Sequence, residues 1–69
     1  MNNAIRIEAA RAALARAAWV RGDVPCYGDE AVIDLLADIR HLCVVAHIDF
    51  EACDRLAAIH FADEIGGVP

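Results

Sequence analysis

The sequence predicts an all-α fold: one small three-helix domain over residues 1–69, with helices at about 4–21, 30–46 and 50–65. Three observations predict it. Leu35, Leu36, Ile39, Leu42, Cys43 and Ala46 recur at steps of three and four, the period of one helix face. Gly22, Asp23, Pro25, Tyr27 and Gly28 crowd between two apolar segments, a density of Gly and Pro that punctuates helices. Fifteen of the 69 residues are alanine, the strongest helix former.

The first helix follows Asn2 or Asn3, either of which can cap it, and runs to about Arg21. The second takes Asp29 as its N-cap, with Glu30 in the first turn, where a negative charge suits the helix dipole. A strand at residues 43–48 is the competing assignment, because the following linker lacks glycine. The third helix starts after Asp49, with Ile48 and Cys53 spaced as a hydrophobic staple. Its Phe50, Cys53, Ala57, His60, Phe61 and Glu64 share a face, while Leu56 and Ile59 point elsewhere. A helix that is apolar over so much of its circumference is expected to pack between others or at a subunit contact. Gly66 and Gly67 stop it.

Composition narrows the chemistry. The chain has no lysine, serine, threonine or glutamine, which removes a serine or threonine nucleophile, a Schiff-base lysine and a phosphate-binding loop ending in Lys-Ser/Thr. Cys26, Cys43 and Cys53 are an odd number without a CxxC pair, so a reduced, cytoplasmic setting is expected. Cys43 and Cys53 lie on apolar stripes and read as small hydrophobes, leaving Cys26 as the exposed thiol. No enzyme activity is predicted. No apolar run approaches the ~18–20 residues needed to span a bilayer. Residues 4–21 are rich in Ala and Arg, yet Glu8 and the lack of serine argue against an organelle leader.

Several constellations reduce to ordinary readings. Arg6, Arg11, Arg16 and Arg21 stand five residues apart, and five steps of ~100° scatter them around the helix instead of lining a nucleic-acid face. Asp34, Asp38 and His41 share a helix face, and His60, Asp63 and Glu64, with His47 and Asp49, are the further candidates for a metal. The paired Glu-x-x-His motifs of two-metal bundles are missing, and neither a metal nor another cofactor is predicted. His60 reads as an interior or boundary histidine, four residues before Glu64.

Charge is divided along the chain. Residues 1–22 hold four arginines against one glutamate, net +3, and residues 23–69 hold two arginines against ten acids, net −8. The first helix is expected to serve in part as counter-ion to the rest. Glu30, Asp34 and Asp38 form a ridge at four-residue steps, each like pair costing about 0.2–0.5 kcal/mol. Glu51, Asp54, Asp63 and Glu64 add acids from the third helix, with Glu51 and Arg55 spaced for a weak salt bridge. These seven acids are the candidate contact residues for a protein partner with a basic surface. Acids four helical residues apart rise ~6 Å per step, against ~3.4 Å per charge along one DNA strand, so a single ridge is too sparse to mimic nucleic acid. Trp19 and Tyr27 are the candidate aromatic anchors.

Residues 33–64 carry Ile33-Asp34-Leu35-Leu36-Ala37-Asp38-Ile39-Arg40-His41-Leu42-Cys43, then Ile48-Asp49-Phe50, Asp54-Arg55-Leu56-Ala57, His60-Phe61 and Glu64. This stretch resembles a group of small uncharacterised helical proteins encoded by bacteriophages, plasmids and integrated elements of GC-rich proteobacteria. His47 stands where those proteins commonly have glycine, a departure that bears on the interhelical turn. The resemblance implies a mobile-element setting and, with it, an inhibitor of host defence such as an anti-CRISPR protein. Such a protein would bind a CRISPR effector subunit in the bacterial cytoplasm, without touching nucleic acid or membrane. The alternative is a helical assembly module, a homodimer or an accessory subunit. A single core of this size supplies only ~3–5 kcal/mol, so a partner of some kind is expected.

Overall fold

Asn3 occupies the position before the first helix, but it does not cap it. In the computed structural model, which describes residues 3–66, the helix α1 spans Ala4–Arg21 and begins with the Ile7 N–H donating to the Asn3 carbonyl at 3.0 Å. The Asn3 side chain makes no capping bond; its Nδ2 donates instead to the Glu64 carbonyl, 3.2 Å away at the far end of the chain. Asn2 lies outside the described residues. At the other end Gly22 adopts φ 82° and ψ 20°, the left-handed conformation that costs glycine little. Asp23 N–H reaches back to the Ala18 carbonyl at 2.8 Å and Gly22 N–H to Trp19 at 3.1 Å, the paired bonds of a Schellman stop.

Helix α2 spans Asp29–Ala46. The expected cap is displaced by one residue: Gly28, extended at φ −97° and ψ −166°, holds the cap position and Asp29 is already helical. Both Asp29 and Glu30 therefore place carboxylates in the first turn, where the exposed backbone N–H groups favour anions. The competing strand at residues 43–48 does not form. The helix runs through Ala46 and is closed by His47, the one non-glycine residue with positive φ among those described (φ 59°, ψ 42°). The Ile48 N–H donates to the Cys43 carbonyl at 2.9 Å across this turn. His47 thus occupies a backbone conformation in which an L side chain costs roughly 1–2 kcal/mol. Glycine there regains this and loses about 0.5–1 kcal/mol through its freer unfolded chain. His47→Gly is expected to stabilise the fold by about 0.5–1 kcal/mol, raising the thermal midpoint by several degrees in a circular-dichroism melt. A fall in midpoint would show that the imidazole holds the turn in some other way.

Helix α3 spans Phe50–Glu64 and is capped as expected, with Asp49 Oδ1 accepting from the Ala52 N–H at 3.1 Å. The staple contributes little burial, since Ile48 is 46% exposed and Cys53 is exposed. Gly66, at φ 72°, follows the helix and donates to the Asp63 carbonyl; Gly67 lies outside the described residues.

Packing is where the three helices fall short of a closed bundle. The main helix contact is between α1 and α2. Only Leu14 (9% exposed), Ala18 (4%) and Cys43 (7%) are buried among the described residues, and α3 buries none. Leu35 and Ile39 of the α2 stripe are half-buried, while Leu36 and Leu42 remain exposed. The chain exposes 5685 Å². A compact monomer of 7.4 kDa exposes about 4,200 Å², so the excess is on the order of 1,500 Å². The Cα radius of gyration, 13.6 Å, likewise exceeds the ~11 Å of a compact domain of this length. Alanine accounts for much of this: it favours helix formation but offers little side chain to fill the space between helices.

Candidate protein-docking surface

The seven candidate acids do not form one open ridge, because arginines of the same chain take three of them. Arg21 Nη1 binds Asp38, and its Nε donates to Asp23 at 3.2 Å. Arg6 Nη2 lies 3.2 Å from Glu64 Oε2, and Arg40 Nη1 donates to Glu51 Oε1 at 2.9 Å. Glu51 therefore pairs with Arg40 of α2 and not with Arg55 in its own helix. Glu30, Asp34, Asp54 and Asp63 make no ion pair among the described residues and remain available to a cationic partner.

The contacts also show what three of α1's four arginines do. Arg6 and Arg21 are counter-ions to acids of the other segments, as the charge division predicts. Arg16 instead stacks on Trp19 of the next turn, 4.3 Å from the ring centroid. Hydrogen bonding to Asp23 raises the Arg21 guanidinium above the ordinary arginine range; desolvation opposes this and the Asp38 charge adds to it. Arg21 is a fixed cation at any physiological pH. Exposed pairs of this kind contribute about 0–1 kcal/mol each, so their role is to orient helices more than to stabilise them.

Arg40 is a residue that sequence reasoning passed over. Its guanidinium sits 4.2 Å from the Phe50 ring centroid while bonding Glu51, clasping the first turn of α3 against α2. The signal available in the sequence was the distance of only ten residues from Arg40 to Phe50, across a short turn.

Several apolar and chelating candidates change their reading once placed in space. Cys26 is exposed and Cys43 buried, as expected, but Cys53 is exposed as well. His60 is exposed and not interior, and Glu64 turns to Arg6. Both corrections have one cause: the predicted inner face of α3 is met only at its ends, Phe50 by Arg40 and Glu64 by Arg6, and its middle is uncovered. The metal candidates on α2 and α3 do not converge; among the described residues no three His, Cys, Asp or Glu side chains are placed to hold an ion. No helix among the described residues is long and apolar enough to cross a membrane.

What the surface does present is hydrocarbon. Trp19 and Tyr27 are exposed as expected, and Leu56, Ile59 and Phe61 of α3, with Ile65 just after it, are all more than half exposed. A concavity of about 380 Å³ lies between the N-terminal part of α1 and the C-terminal end of α3. Ile7 and Ala10 form one wall, Phe61 and Ile65 the other, and the paired Arg6 and Glu64 stand at its rim with Asn3. The Asn3 Oδ1 there is buried without a hydrogen-bond partner. A second groove, about 200 Å³, runs between α1 and the start of α2, lined by Leu14, Ala18 and Arg21 opposite Glu30, Ala31 and Asp34. The open acids of α2 thus border an apolar floor. No protein-family model, curated protein or solved structure matches this chain.

Proposed function

We propose that this chain works without catalysis, as a small helical module that docks on protein. One observation carries the reading: the chain leaves on the order of 1,500 Å² more surface open than a self-sufficient monomer of its mass. A standard interface takes about 800 Å² from each partner, so the excess is nearly twice that share, the size of a large, obligate contact. As an isolated monomer at about 1 μM, the chain should bind an apolar dye and melt over a broad range. A sharp melt above about 60 °C without dye binding, from a species of one-chain mass, would overturn the reading.

The resemblance over residues 33–64 supplies a setting for such a module: a mobile-element inhibitor of host defence, most concretely an anti-CRISPR protein on a CRISPR effector subunit. The unpaired carboxylates favour it. Glu30 and Asp34 on α2, with Asp54 and Asp63 on α3, offer four open anions to a basic surface, beside apolar area that contributes affinity. Asp38, Glu51 and Glu64 serve this reading only indirectly, by holding the helices in place.

A further inference from the structure

We propose that the occupant of the groove between α1 and α3 is a second copy of this chain, so that the working unit is a homodimer. The proposal rests on the docking reading above and names its partner. Three observations lead to it. Helix α3 buries no side chain of its own, although Phe61 and Ile65 face Ile7 and Ala10 across an open, apolar concavity. Phe61 is 60% exposed in the single chain. A helix with that much hydrocarbon and no cover is half of an interface.

The area agrees. Two copies together leave open about 3,000 Å² beyond the monomer expectation. That falls within the roughly 2,000–5,000 Å² that obligate homodimers bury.

The charges agree as well. An isologous contact sets a patch against itself, so it must carry both signs in a compatible order. Here the groove's cation, Arg6, stands on α1 and its anion, Glu64, on α3. A two-fold axis along the groove lays α1 of each copy over α3 of the other, and Arg6 over Glu64 of the second copy. The same operation brings α1, with four arginines and one glutamate, onto α3 of the other copy, with four acids and one arginine.

Sedimentation equilibrium from about 1 to about 200 μM tests this directly. The expected mass is twice 7.4 kDa. Phe61→Glu and Ile7→Glu should each weaken association at least ~100-fold, as loss of an interface anchor does. Val45→Glu, on an open part of α2, should change it by less than about 2-fold. A wild-type mass of one chain throughout that range overturns the proposal, and so does association unchanged in both groove variants. Should the groove variants fail to fold at low concentration, the wild type still decides: its thermal midpoint must rise with protein concentration, and a constant midpoint overturns the dimer. The two readings fail separately. A broadly melting, dye-binding monomer removes the second copy but leaves docking on another protein in place, whereas a sharply melting monomer removes both.

Discussion

Leu14→Ala is expected to unfold the isolated chain almost completely at room temperature. Leu14 is one of three buried residues among those described, set where α1 meets α2 with Ala18 one turn further on. Replacing a buried leucine by alanine removes its transfer free energy and leaves a cavity, together about 2–5 kcal/mol. A core of this size supplies about 3–5 kcal/mol in all, so one substitution exhausts most of the margin. The 222 nm ellipticity of the variant, followed through a urea titration at low protein concentration, should show little or no native baseline. A loss below about 1 kcal/mol would mean that the contact of α1 with α2 is not what holds the fold. Ala18 makes the complementary point. It is the most buried of the described residues, and a larger side chain there would force the two helices apart at about 1–3 kcal/mol.

Under the proposed function, double charge reversal of Glu30 and Asp34 to arginine should abolish inhibition of a CRISPR effector while leaving the helices formed. Neither carboxylate makes an ion pair among the described residues, and both line the groove beside α1. The fold loses little. The reversed pair repels as the original pair does, and the mismatch of Glu30→Arg with the helix N-terminus costs about 0.3–1 kcal/mol. A basic partner loses far more: steering and contact both turn repulsive, and association should fall by ~100-fold or more. The measurement is phage plaquing on a CRISPR-active host, alongside circular dichroism of the purified variant. Undiminished inhibition by a folded variant would end the acidic-surface mechanism. Asp38 is unsuited to this test, because reversing it breaks the direct ion pair with Arg21 that ties α1 to α2.

The helices themselves were legible in the residues. All three lie within one residue of their expected bounds, and Asp49 caps α3 through the side-chain bond its position implies. These features are local: the period of the apolar residues and the chemistry of a cap act over four or five positions. The shift from Asp29 to Gly28 at the head of α2 is local too. Gly28 takes the extended cap conformation, so the first helical position falls to aspartate, which suits the dipole without a side-chain bond. His47 follows the same logic, a left-handed stop that closes α2.

The site was less legible, for a definite reason. An apolar stripe states which side of a helix can be buried, and it is silent on whether anything lies over that side. His60 and Cys53 were read as inner residues on the strength of their stripe, and both are exposed because α1 and α2 meet α3 only near its ends. The acids followed a similar course. Seven carboxylates at regular spacing look equivalent in the sequence, yet arginines placed by the fold take Asp38, Glu51 and Glu64 and leave the other four.

The sequence by itself therefore determined three helices, their ends, a division of charge and too little side-chain volume for a closed core. Only the tertiary structure decided which charges stay open and which hydrocarbon remains uncovered. Ion pairs form between residues as far apart as Arg6 and Glu64, or Arg21 and Asp38, and depend on how the helices cross. Burial depends on the same crossing, because an apolar face loses its water only when another surface reaches it.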